Sequence, residues 1–226
     1  MYKHIVAFIL LMKDNTTPKE QLLKKIRKAL LEKRDNPYPQ LEDLPLYPPQ
    51  EDLLEVIFAE QFTAVAGQFI FCEDEIQFIE NLLTLAEQRN WHKIYCWESD
   101  LQNILKTYEY PYFETDKDFE QAEVGLTLCD ALIARNGSIL ITNGNAAGRR
   151  LSIYPHQHIV LAYTSQLVLD LKDGFKLLKN KYKNNLPSLI STITGPSRTA
   201  DIEKTLVLGA HGPKELFVFL LDDLQA

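Results

Sequence analysis

Residues 64–107, AVAGQFIFCEDEIQFIENLLTLAEQRNWHKIYCWESDLQNILKT, decide the fold. Ala64 to Cys72 carries Val65-Ala66 and Phe69-Ile70-Phe71, a short apolar run that reads as a buried strand, with Gly67 as a bulge. Asp74 to Arg89 places Ile76, Ile79, Leu82, Leu83 and Ala86 at helical spacing. Lys93 to Trp97 reads as a second strand, and Ser99 as the cap of a helix running to about Thr107. Strands that alternate with amphipathic helices predict an α/β fold: an open, mostly parallel sheet with helices on both faces.

Towards the N-terminus, Glu51 to Phe62 reads as a further helix and opens the main domain, 51–226. Before it, 35–50 holds Pro37, Pro39, Pro45, Pro48 and Pro49, which forbids regular helix and predicts an extended connector. Thr17-Pro18-Lys19-Glu20 is a helix start, and Leu22, Leu23, Ile26, Leu30 and Leu31 continue it as an amphipathic helix to about Arg34. Residues 1–50 therefore read as a tail, a helix and a connector, an arm that packs on the main domain or on a partner. The run Ile5 to Leu11 is too short to span a bilayer and lacks a small-residue cleavage site, so no transmembrane segment is expected. Met12-Lys13-Asp14-Asn15 has the look of a natural start; a partner-binding or membrane-associating tail is the other reading.

Towards the C-terminus, Pro111 to Phe113 looks extended and Val124 to Leu128 is a short apolar segment. Ala131 to Arg135 and Ser138 to Thr142 flank Asn136-Gly137, the signal for a hairpin with a tight turn, so an antiparallel pair is expected in, or added to, the parallel sheet. Asn143 to Arg150 is a loop whose Arg149 and Arg150 could hold an anion; it lacks the lysine and hydroxyl ending of a phosphate-binding loop. His156 to Tyr163 reads as a buried strand, Leu169 to Tyr182 as a helix weakened at Gly174, Leu189 to Thr194 as an approach to the next loop, and Leu216 to Leu221 as the last strand.

The densest mixture of small, hydroxyl, basic and acidic residues is 193–203, ITGPSRTADIE, followed by Gly209-Ala210-His211-Gly212-Pro213. Gly195-Pro196 turns the chain, and Ser197 or Thr199 is placed to cap a short helix from Ala200. Backbone N–H groups there, with Arg198, would suit a phosphate or small carboxylate. Asp201 or Glu203 could orient a hydroxyl, hold a metal or take a proton, and His211 is a candidate acid or base near neutral pH. The candidate anion-binding set is Gly195, Ser197, Arg198, Thr199, Asp201, His211, Arg149 and Arg150, with no catalytic residue assigned. The alternative is structural: Asp201 and Glu203 complement a helix dipole, Arg198 pairs with one of them, and His211 bonds a carbonyl in a turn.

The formal net charge of −7 argues against a nucleic-acid surface. Cys72, Cys96 and Cys129 are widely spaced beside apolar runs and read as buried, reduced thiols of a cytoplasmic protein, not as a metal or cluster site. His156 and His158 would share one strand face, but no third ligand stands near, and no metal is expected.

The run Ile193 to Pro213, ITGPSRTADIEKTLVLGAHGP, strongly resembles the signature of the lactate-utilisation domain family, in particular the C-subunit type of the three-protein L-lactate oxidation system. Val124 to Thr127, Gly137-Ser138, Arg149 to Ser152 and His158 to Val160 fit the same pattern in order. Where many members have Glu-Thr-Gly at the hairpin turn, this chain has Arg135-Asn136-Gly137. The resemblance implies a fold like that of the sugar-phosphate isomerases and CoA-transferases. It also implies a subunit of a cytoplasmic complex that oxidises L-lactate to pyruvate, with iron–sulfur clusters in partner proteins and no cofactor in this chain. The alternative is a stand-alone enzyme or sensor for a phosphorylated, nucleotide-like or CoA-like ligand, with Arg149, Arg150 and Arg198 converging on a phosphate.

Overall fold

The computed structural model describes residues 17–32, 37, 47, 50–115, 119, 122–147, 150–200, 206–209 and 211–223, the side chains of 199, 200 and 206–208 excepted. The alternative starts at Met1 and Met12, most of the proline-rich connector, and the candidates Arg149, Asp201 and Glu203 lie outside the described residues. The chain divides between Gln50 and Glu51.

In the first unit, helix α1 spans Pro18–Leu31. Thr17 Oγ1 accepts the Glu20 N–H at 3.3 Å and the Glu20 carboxylate accepts the Thr17 N–H at 2.8 Å, a reciprocal cap that leaves Pro18 in the first turn, where its missing N–H costs nothing. Every residue of α1 is exposed, its five apolar residues included.

In the second unit the chain runs α2 (Leu54–Ala64), β1 (Gln68–Cys72), α3 (Glu75–Arg89), β2 (Ile94–Tyr95), α4 (Ser99–Thr107) and β3 (Val124–Leu128). The first strand begins four residues later than the apolar run suggests. Val65 caps α2 and Ala66, at φ 66°, turns the chain, so Gly67 belongs to a turn and not to a bulge. Helix α3 is closed at both ends: the Asp74 carboxylate accepts the Gln77 N–H at 2.7 Å, and Asn90 leaves it in the left-handed region at φ 56°. The N-cap of α4 is Glu98, not Ser99, and the Glu98 side chain does not cap.

After β3 come β4 (Ala131–Ile133), β5 (Ser138–Thr142), the single turn α5 (Arg150–Ile153), β6 (Gln157–Tyr163), β7 (Leu167–Val168), α6 (Leu171–Tyr182), β8 (Ile190–Ile193), β9 (Arg198–Ala200), β10 (Leu206–Leu208) and β11 (Glu215–Leu221). Five strands make one parallel sheet in the order β1-β11-β6-β3-β2. One face of it packs on α3 and α4 through Phe78, Leu82, Leu101, Leu105, Phe217 and Phe219, with Phe78 and Phe219 edge to face at 5.3 Å. On the other face Val160, Ala162, Val218 and Leu220 meet Phe58 and Phe62 of α2 and a second sheet.

The expected antiparallel pair β4–β5 is present, but in that second sheet, of order β7-β4-β5-β8, and not in the parallel one. Its outer face is covered by α6, where Leu178 packs on Ala131, Ile133 and Leu140. The turn is also longer than a two-residue hairpin: Ala134–Asn136 form one turn of 3-10 helix that ends on Gly137 at φ 59°. A Cβ at Gly137 would stand 2.4 Å from the Phe62 backbone nitrogen, so the turn is pressed against the end of α2, and only glycine fits.

Candidate functional site

The 193–213 stretch closes a cavity at the amino ends of β6 and β11. Its volume is about 210 Å³, and its walls include Ser152, His158, Ile193, Ser197, His211 and Leu216. Gly195 turns the chain at φ 75°, with Val65 O only 2.3 Å from where its Cβ would be. The Ser197 N–H donates to Pro213 O at 2.8 Å and the Gly209 N–H to Ser197 O at 3.1 Å, so the two turns are laced together. His158 is wholly buried and pairs through Nε2 with Thr127 Oγ1 at 2.9 Å; its Nδ1 has no protein partner. Burial pulls its pKa down to about 3, so it stands there as a neutral imidazole.

Of the expected residues, Gly195, Ser197 and His211 line this cavity. Ala200, the expected start of a short helix, is in a strand; 201–205 lie outside the described residues. Arg198–Ala200, Thr199 included, is strand β9, paired antiparallel with Leu206–Leu208, so neither Ser197 nor Thr199 caps a helix. A strand start does not gather the unpaired backbone N–H groups that a helix start would have offered to an anion. Arg198 is exposed and donates from Nη2 to Val65 O at 2.8 Å. Arg150 lies over the Phe119 ring, 4.2 Å from its centroid, and over Trp97 at 5.2 Å. The two guanidinium groups thus rest on different parts of the domain. Arg135 forks onto Asp170, Nε to Oδ1 at 2.5 Å and Nη2 to Oδ2 at 3.1 Å, which ties the hairpin turn to the start of α6.

A second cleft, of about 380 Å³, opens at the opposite end of the parallel sheet. Carboxyl ends of parallel strands are where α/β folds collect ligand-binding groups, because the loops there are free of the strand ladder. Glu98 follows β2, Cys129 and Asp130 follow β3, and Tyr163 ends β6; Lys181 reaches in from α6. Glu98 is only 5 % exposed. Its Oε2 accepts the Leu128 N–H, and its Oε1, also buried, has no partner among the described residues. Burial pushes the Glu98 pKa up to about 7; the Leu128 N–H and Lys181 oppose that shift, and Asp130 and Asp100 add to it.

Asp130 is the anchor of the cleft. Its carboxylate accepts the Thr142 N–H at 2.9 Å, the Tyr182 hydroxyl at 2.9 Å, Lys181 Nζ at 2.5 Å and Asn145 Nδ2 at 3.4 Å. Four donors on one carboxylate hold the ends of β5 and α6 together. The Lys181 side chain is 49 % exposed, and its ammonium lies between Asp130 Oδ1 at 2.5 Å and the Tyr182 ring, 5.1 Å from the centroid. Sequence reading missed this constellation because its members stand alone at 98, 130 and 181. The available signal was position: each of the first two acids directly follows a strand that ends at the carboxyl edge.

The three cysteines are free, buried and apart, and burial raises the pKa of each. His156 is exposed ahead of β6, away from the buried His158. Among the described residues no three His, Cys, Asp or Glu side chains are grouped to hold a metal ion, and no helix is long and apolar enough to cross a membrane.

The LUD domain family model matches residues 55–221, nearly the whole of the second unit. The chain belongs to the LUD domain family. Lactate utilization protein C of Bacillus subtilis is 34 % identical over 172 residues, 73 % of this chain and 67 % of that protein. Lactate utilization protein C 1 of Bacillus mycoides is 35 % identical over 112 residues, and Lactate utilization protein C of Halalkalibacterium halodurans 37 % identical over 106. The chain spans about half the length of these last two relatives, 48 % and 46 %. A crystal structure of a DUF162 family protein from Deinococcus radiodurans has the same fold, with a TM-score of 0.57 and 16 % identity, over 77 % of this LUD chain and 99 % of that one.

Proposed function

We propose that this LUD protein works in lactate utilisation, as a subunit of a cytoplasmic assembly that oxidises L-lactate to pyruvate. The observation that carries this reading is the 172-residue likeness to Lactate utilization protein C of Bacillus subtilis. Oxidising lactate to pyruvate releases two electrons and two protons, and iron–sulfur clusters in partner proteins would take the electrons. Separate burial of Cys72, Cys96 and Cys129, with each thiol held protonated, supports placing such clusters in the partners. The cavity walled by 193–213 would receive a small ligand or a partner's loop beside the exposed Arg198. The exposed apolar side of α1 would dock on a partner.

A tagged chain, recovered from its native cells grown on lactate, should bring iron–sulfur proteins with it in near-equal amounts; recovery of the chain alone would sink the reading. A chain lacking residues 1–50 should keep the fold of 51–226 and lose the partners. An unfolded truncation would count against a docking role for α1.

A further inference from the structure

The cleft at the carboxyl ends of β2, β3 and β6 offers hydrogen-bond donors to a ligand. With Oε2 of Glu98 committed to the Leu128 N–H, Oε1 is the oxygen open to a proton, and among the described residues nothing bonds it. A buried O–H without an acceptor is costly, so the site is completed by whatever supplies one. Lys181 brings a second donor to the same cleft, since its ammonium bonds Asp130 Oδ1 and its side chain, half exposed, lines the cleft. Asp130 is not an acceptor for a ligand's donor groups, being buried and filled by four protein donors.

We propose that this cleft binds a small carboxylate together with one proton, the proton held on Glu98 Oε1 and shared with the ligand, and the ligand's charge met by Lys181. The proton comes from solvent and no covalent bond changes. Beside the Asp130 carboxylate and a ligand anion, a third negative charge on buried Glu98 is costly, so the ligand enters with Glu98 neutral. The groups that face Glu98 from the surrounding elements are Asp100 of α4, Cys129 and Asp130 after β3, Tyr163 of β6 and Lys181 of α6. Among these, Lys181 is the cation that an anion can reach.

The proposal goes beyond the lactate reading and takes from it only two of the probes. Isothermal titration of the full chain with acetate, L-lactate and pyruvate, at pH 6 to 8.5, tests it. Affinity should fall about tenfold per pH unit above the pH at which Glu98 releases its proton, with one proton taken up per ligand bound. Glu98→Gln supplies an N–H where the acid supplies an O–H, so it should bind with no such slope. Lys181→Met should lose binding. No binding of any probe at pH 6, or the same pH slope in Glu98→Gln, would overturn the proposal. Binding of acetate without L-lactate or pyruvate would uphold the proton-coupled site and show that its ligand is neither of these, while the lactate reading stands or falls on the recovery of partners.

Discussion

Two buried groups at opposite ends of the parallel sheet pull the pH dependence of stability in opposite directions. Glu98, raised from 4.5 to about 7, keeps a proton in the folded chain that the unfolded chain releases, so its contribution is complete below pH 4.5 and is lost as the pH rises to about 7. His158, lowered from 6.5 to about 3, stays neutral in the fold while the unfolded chain takes up a proton, so its contribution is complete above pH 6.5 and is lost as the pH falls to about 3. Between pH 4.5 and 6.5 the two linkages overlap and cancel. Glu98→Gln removes one of them. Relative to the native chain, its stability should then rise by about one power of ten in the folding equilibrium per pH unit across that window, roughly 3 kcal/mol over two units.

Urea unfolding followed by circular dichroism at pH 4.5, 5.5 and 6.5 reads this difference, and every other titrating group drops out of the comparison between variant and native chain. His158→Leu should give the mirror image, losing stability relative to the native chain as the pH rises through the same window. Parallel pH profiles for native chain and Glu98→Gln would refute the reasoning, because they would mean that Glu98 is ionised in the fold as it is in the unfolded chain. A lower overall stability of either variant would not, since the slope carries the test.

Other expectations concern the frame. Gly137→Ala should cost about 2 kcal/mol or more in urea unfolding, since a Cβ there meets the Phe62 backbone and φ is 59°. Phe58→Ala, which empties a wholly buried ring position stacked on Phe62 at 5.3 Å, should cost about 3–5 kcal/mol. Arg135→Ala breaks the fork onto Asp170 and should cost about 1 kcal/mol; it should also let the Asp170 carboxyl, now held low by that hydrogen bond, titrate at a higher pH by NMR.

The alternation in residues 64–107 was legible because burial on two sides of a parallel sheet demands it. The details were less so. Ile76 and Leu83 fit the helical spacing of α3 but are exposed, and the buried stripe runs through Phe78, Ile79, Leu82 and Ala86. Spacing gives the period of a helix, while the angle of its face is set by what it packs on. The hairpin signal at Asn136-Gly137 located a turn correctly and mistook its length, because contact with α2 selects the glycine. In the 193–213 stretch, glycine and proline marked two turns, and those turns do meet around a cavity. Pairing of β9 with β10 depends on residues six to ten apart in the chain, and local capping rules do not see it.

A physical distinction separates the two ends of the sheet. Several conspicuous residues of 193–213 have a structural account: Gly195 lies against Val65 O, Gly212 abuts Ser197 with a would-be Cβ at 3.0 Å, and the Ser197 N–H is bonded to Pro213 O. A chain that only had to close these turns would carry much the same residues. Asp130, with Lys181 bonded to it, ties β5 to α6, but Glu98 Oε1 has no such account among the described residues. Two carboxyl groups and an ammonium in and beside the interior are costly to desolvate, and packing alone would be served as well by apolar side chains of the same size. Their place at the carboxyl ends of β2 and β3, with one buried oxygen unbonded among the described residues, is the reason the proposed carboxylate site lies at the end of the sheet where the sequence drew least attention.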